Sequence, residues 1–161
     1  MRVFVGTDHA GLEFKEHLKG ALSEAGYEPV DCGAFEYDAD DDYPPFCFDV
    51  GERVVVEPGT LGVVIGGSGN GEQIAANKVP GVRAALVWNR ETAELARGHN
   101  DANVCAIGAR QHSVEEATAL VLTFLREPFS NEARHVRRIG LVTDYERDRH
   151  RPAGGFPTDT P

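Results

Sequence analysis

Residues 61–78, from Leu61 to Lys78, read LGVVIGGSGNGEQIAANK. The apolar run Leu61–Ile65 reads as a buried strand, and Glu72–Lys78 reads as a helix stopped by Pro80-Gly81. Between them, Gly66–Gly71 holds four glycines in six positions. Strand, tight loop and helix in immediate succession form the opening half of a βαβ crossover, and the rest of the chain repeats the alternation. Upstream, Arg2–Thr7 is a short apolar strand. Phe14, Leu18, Ala21, Leu22 and Ala25 then recur at helical spacing up to Gly26, and Glu28–Cys32 is a weaker strand. The acidic stretch 36–42 and Tyr43-Pro44-Pro45 read as a loop, followed by a helix over 46–56. Downstream come a strand at Arg83–Trp88, a helix at Glu91–Arg97, a strand at Asn103–Ile107, and helices over 114–126 and 131–147. Five strands separated by helices predict an α/β fold, with a five-stranded parallel sheet and helices on both faces. Residues 1–148 are expected to form a single domain, and 149–161, rich in Pro, Gly and Thr, a disordered tail.

Composition narrows the function. The chain has 161 residues and a net charge of −10, from 26 acidic and 16 basic side chains. All of the excess lies in residues 1–60, with 14 acids and 4 bases, whereas 61–161 balance at 12 and 12. An acidic chain disfavours nucleic acid, which needs a basic footprint. No apolar run approaches the ~18 residues of a membrane span, and the N-terminus enters a strand without a signal peptide. Cys32, Cys47 and Cys105 are odd in number and widely spaced, so neither a disulfide framework nor a zinc site is indicated. A reducing cytoplasm is the expected setting.

Ligands of parallel sheets bind beyond the carboxyl ends of the strands. This draws attention to Asp8-His9, to Gly66–Glu72 and to Gly108-Ala109-Arg110. The glycine loop turns its backbone tightly and gathers N–H groups ahead of a helix N-terminus, an arrangement suited to an anion or a developing oxyanion. It fits none of three common motifs. A phosphate-binding P-loop needs Lys-Ser/Thr where Glu72-Gln73 stand. A dinucleotide loop needs glycine where Glu72 stands, after Gly67 and Gly69. A nucleophile elbow needs glycine where Asn70 stands, after Gly66 and Ser68. Glu72 at a first helical turn is either a partner of the helix dipole or a general base beside the oxyanion it helps create. Asp8-His9 and His99-Asn100 stand at strand-proximal turns, where histidine suits proton transfer. Arg134 and Arg138, four apart, share one helix face, and Arg110 follows the fifth strand. They form either a phosphate clamp or a solvated charged face.

Taken together, these motifs resemble one family, the ribose-5-phosphate isomerases of type B, which also holds galactose-6-phosphate isomerase subunits. The resemblance runs from Arg2 to about Glu146, and its form is similar to the actinobacterial branch. It rests on Gly6-Thr7-Asp8-His9-Ala10-Gly11, Asp42-Tyr43-Pro44, Gly66–Lys78, Gly98–Asn103, Gly108-Ala109-Arg110 and Arg134–Arg138. It implies a Rossmann-like three-layer sandwich and a homodimer with active sites at the subunit interface. It also implies reversible isomerisation of ribose 5-phosphate and ribulose 5-phosphate, with no metal or organic cofactor. Many members use a cysteine base just before the glycine loop. Here that position is Gly66, and the branch resembled uses the glutamate after the loop, Glu72. The resemblance makes His99 the ring-opening proton donor, with Asp8 nearby. Backbone N–H groups of Gly67, Ser68, Gly69, Asn70 and Gly71 hold the enediolate, His9, Arg110, Arg134 and Arg138 hold the phosphate, Asn100 positions sugar hydroxyls and Tyr43 lines the site. Isomerisation of a hexose 6-phosphate such as allose or galactose 6-phosphate, and a non-catalytic sugar-phosphate-binding module, are the competing readings.

Overall fold

The computed structural model describes residues 1–149, so the tail expected at 149–161 lies outside them apart from Arg149. The strands are β1 (Arg2–Thr7), β2 (Glu28–Asp31), β3 (Leu61–Gly66), β4 (Ala84–Leu86) and β5 (Val104–Gly108). The helices are α1 (Leu12–Glu24), α2 (Tyr43–Val56), α3 (Asn70–Ala76), α4 (Arg90–Asn100), α5 (Val114–Arg126) and α6 (Ala133–Asp148), with a single 3-10 turn at His9–Gly11. All strand pairs are parallel, in the order β2-β1-β3-β5-β4. The Rossmann-like α/β fold expected from the sequence is therefore the fold observed.

Burial explains the order. β3 and β5 are buried at every residue, as central strands covered on both faces must be. Alternate residues feed two cores. Val3, Val5, Val63, Ile65, Cys105 and Ile107 pack against α1, α4 and α5 through Phe14, Leu18, Ala96, Val121 and Phe124. Phe4, Val64, Val104 and Ala106 pack against α2 and α3 through Cys47, Val50, Val54 and Ala75. The chain leaves β1 toward the α1 face and β3 toward the α3 face. Between these two neighbouring strands the connections diverge and open a crevice at their carboxyl ends. Thr7 closes its floor, donating its hydroxyl to the Ile65 carbonyl at 3.0 Å.

Two local readings change. Tyr43-Pro44-Pro45 is the first turn of α2, not loop. Proline is at home there, because first-turn N–H groups lack intrahelical partners and its fixed φ suits a helix start. His99 and Asn100 belong to the last turn of α4, which ends at Asp101 in the left-handed region (φ 44°).

Lys15 on α1 is completely buried. Its Nζ donates to Asp31 Oδ1 at 2.6 Å and to the Ala34 carbonyl at 2.5 Å. Lys19 takes the other Asp31 oxygen at 2.6 Å. Burial pushes the Asp31 carboxyl up, but the bonds from Lys15, Lys19 and the Gly33 N–H outweigh it and hold the group below its ordinary value. This cluster pins the root of the acidic loop to the body of the fold.

Candidate active site

The crevice between β1 and β3 collects one set of the expected residues. Glu72, in the first turn of α3, is 4% exposed. Its carboxylate folds back over Gly66, so close that a Cβ built there would lie 1.9 Å from Oε1. Burial raises the Glu72 pKa and the nearby Asp8 charge adds to it, while the N–H groups of Glu72 and Gly69 pull the other way. The net shift is upward. A carboxyl whose pKa is shifted upward in this way holds a proton more readily than an ordinary glutamate, which suits it to taking one up and returning it.

The loop around it is tightly determined. Gly69 has φ +81°, and a Cβ there would meet Leu86 Cδ1 at 2.7 Å and the Ile107 carbonyl carbon at 2.9 Å. The Tyr43 ring lies against Gly71, with Cζ 2.7 Å from where a Cβ would be. Arg110 lays its guanidinium beside Gly67, and its backbone N–H donates to the Gly67 carbonyl at 3.2 Å. Ser68 is exposed, and its Oγ accepts from the Asn70 N–H and Nδ2, both at 3.3 Å. Asp8 is buried and caps the 3-10 turn, accepting the Ala10 N–H at 3.0 Å. His9 is tied to Asp41 through its backbone N–H and its ring.

The second set stands elsewhere. The carboxyl end of α4 lies at the amino end of the sheet, where Arg83 and Asn103 introduce β4 and β5 and Arg83 Nε donates to the Asn100 carbonyl at 3.0 Å. His99 is there, its ring 4.2 Å from that of His135 on α6. Asn100 Nδ2 donates to the Leu95 carbonyl at 3.2 Å. Arg134 pairs with Glu132 at 2.8 Å, and both Arg134 and Arg138 are exposed. Strands of this length separate the two ends of the sheet by about 17–20 Å. Within one chain, His99 is therefore not near Asp8, and His99, Asn100, Arg134 and Arg138 do not reach Glu72.

The profile of the Ribose/Galactose Isomerase family matches residues 3–142. The chain belongs to the ribose/galactose isomerase family. It is 55% identical to ribose-5-phosphate isomerase B of Mycolicibacterium paratuberculosis over 152 residues, covering 94% of this chain and 96% of that one. It is 38% identical to the solved ribose-5-phosphate isomerase B of Clostridium thermocellum, with a TM-score of 0.88 over 93% of this chain and 100% of that one. A ribose-5-phosphate isomerase B from Mycoplasma genitalium, solved with bound ribulose-5-phosphate, is 39% identical with a TM-score of 0.87 over 91% and 97% of the two chains.

For this ribose/galactose isomerase family member, the glycine at position 66 has a physical reason. The Glu72 carboxylate fills the space a side chain would need, so a residue with a Cβ and a seated Glu72 exclude each other. Gly66→Ala is expected to unseat the carboxylate and lower kcat by about 10²-fold, the usual scale for a misplacement near 1 Å. An unchanged kcat in a folded variant would show that the seat is dispensable. The three cysteines are free and buried. The thiol nearest the site, Cys47, is pushed up to about 12 by burial, then by the charges of Glu72 and Asp8, so it stays protonated.

Two residues near the sites were not singled out by the sequence. His135 is 3% exposed, bonds through Nδ1 to Ser130 Oγ at 2.9 Å and backs the His99 ring. Burial, then the neighbouring His99, lowers its pKa, so it stacks on His99 in its neutral form near pH 7. The other is Asp41, hidden in a run of acids. Asp8, His9 and Asp41 together bring ligand atoms within 4.8 Å of one another, a grouping able to hold a cation.

Proposed function

We propose that the chain interconverts D-ribose 5-phosphate and D-ribulose 5-phosphate, in active sites each assembled from two copies of the chain. The observation that carries this is Glu72, a buried carboxyl of raised pKa seated over a side-chain-free Gly66 at the mouth of the crevice. The relatives' names supply the substrate pair. The cyclic sugar opens when His99 of the partner subunit gives a proton to the ring oxygen and the anomeric hydroxyl loses one to solvent, so the C1–ring-oxygen bond breaks and the C1 carbonyl forms. Glu72 then removes the proton from the carbon beside the carbonyl, and the resulting enediolate oxygen meets loop N–H groups between Gly67 and Gly71. The same carboxyl returns the proton to the neighbouring carbon, while the hydroxyl proton passes from O2 to O1, so the aldehyde becomes a hydroxymethyl group and the adjacent carbinol a ketone. His9 and Arg110, with Arg134 and Arg138 of the partner subunit, hold the phosphate, and Asn100 of the partner subunit meets the sugar hydroxyls.

Two observations favour the paired assembly. A pentose phosphate is far shorter than the sheet, so it cannot touch Glu72 and His99 of one chain. Apolar side chains also stand uncovered on α6, namely Val136, Leu141 and Val142, at 48%, 39% and 60% exposure. The cytoplasm suits three free buried cysteines. No helix among the described residues is long and apolar enough to cross a membrane.

The test is complementation, assayed on ribose 5-phosphate in EDTA. Glu72→Gln and His99→Asn homodimers are each expected to be nearly inactive. Mixed by co-expression, they recover about a quarter of wild-type activity, because roughly half the dimers are mixed and each has one intact site of two. A mixture containing heterodimers yet as inactive as its parents would overturn the shared site. Activity lost only in EDTA would show that a metal participates.

A further inference from the structure

We propose that Asp41 is a positioning residue for His9, and that the acidic loop 36–42 is built to deliver its carboxylate there. The consequence for catalysis rests on the isomerase reading, but the pairing itself does not. Asp41 holds His9 at three points. Both carboxylate oxygens lie 3.1 Å from the His9 backbone nitrogen, and Oδ1 lies 2.6 Å from the ring Nδ1. The Asp41 and His9 side chains are only 11% and 24% exposed. A carboxylate only accepts, so Nδ1 is the donor and Nε2 is the ring nitrogen left to meet a ligand. The Tyr37 ring meets the imidazole edge-on at 5.9 Å, further restricting its rotation.

The loop is organised around this contact. At its root, Thr7 and the 33–34 segment exchange backbone bonds of 2.8 and 2.7 Å, and buried Lys15 holds the Ala34 carbonyl. At its far end, Tyr43 begins α2 and rests on Gly71 of the glycine loop. Between these anchors Asp38 forms the turn, accepting the Asp40 N–H on its side chain at 3.0 Å and the Asp41 N–H on its carbonyl at 3.2 Å. The acidic residues thus have separate tasks, one shaping the turn and one gripping His9. A freely rotating imidazole offers either nitrogen in many directions. Gripped this way, it offers one nitrogen in one direction, and the ordering cost is met before the substrate arrives.

The first measurement is 15N-resolved NMR of the ligand-free wild type. His9 is expected to show a protonated Nδ1 with a downfield, slowly exchanging proton. A mixture of tautomers would overturn the proposal, whatever the reaction proves to be. The second is kinetic. Asp41→Ala is expected to raise KM for ribose 5-phosphate about tenfold, with kcat changed by less than about threefold, as for loss of one charge-assisted bond. Asp41→Asn, which still accepts from Nδ1–H, restores KM most of the way. In the double variant with His9→Ala, removing Asp41 costs nothing further. Additive losses, or a fall in kcat alone, would mean that Asp41 does not act through His9.

Discussion

Glu72→Gln is expected to lower kcat by about 10²- to 10⁴-fold, the range attributed to a positioned general base. Glutamine keeps the shape that fits over Gly66 and the bonds from the loop, so binding changes little and KM stays near its wild-type value. Loss confined to kcat is the signature of an interaction made in the transition state. A kcat within about tenfold of wild type would remove Glu72 from the role of base. If Glu72 is the base, it is expected to set the acid limb of kcat/KM. Burial and Asp8 raise its pKa, so activity falls on acidification at a pH above that of an ordinary glutamate. Stability runs the other way. A carboxyl whose pKa is raised in the folded state contributes stability that is fully present below its unfolded pKa and lost as pH rises through the folded one. Glutamine never ionises and keeps that contribution. The Tm of Glu72→Gln should therefore rise relative to wild type as pH climbs above the ordinary glutamate range, a gain in stability accompanying a loss of function. A Tm difference that stays constant over that climb would contradict the raised pKa.

Lys15→Ala is expected to destabilise the fold by about 3–4 kcal/mol, combining a cavity with a broken buried ion pair. Lys15 is fully buried and serves both Asp31 and the Ala34 carbonyl. Removing it orphans the carbonyl and leaves Asp31 to Lys19 and the Gly33 N–H. Because those partners remain, the cost sits toward the lower part of the range for breaking a buried pair. Lys15→Met keeps the stem and fills the cavity, so it recovers part of the loss, and the remainder measures the polar bonds. Urea unfolding should show a lower midpoint with an unchanged slope. A loss below about 1 kcal/mol for the alanine variant would make Lys15 an incidental buried charge.

Local reading succeeded wherever a short window contained its own cause. The run from Leu61 through the glycines to the α3 helix announces a strand, a tight turn and a helix, because apolar residues, conformational freedom and helix formers follow one another directly. Tyr43-Pro44-Pro45 reads as loop for an equally local reason. Proline breaks a helix interior but suits a first turn, and only the packing of α2 against β1 and β3 shows which applies. Asp41 was one acid among several in a stretch of seven residues, and nothing in that stretch distinguishes the carboxylate that meets a histidine 32 positions earlier.

By itself the sequence determined the α/β class, the family and the glycine loop, and it named the candidate groups for the chemistry, since periodicity and motif order are properties of neighbouring residues. The tertiary structure alone decided the strand order β2-β1-β3-β5-β4, and with it the crevice between β1 and β3. It also decided that Glu72 occupies the space over Gly66, and that His99 and the arginines of α6 stand at the opposite end of the sheet. Those are matters of which surfaces meet across long stretches of chain. Such contacts are selected by the burial of two faces of a sheet, which no short window contains.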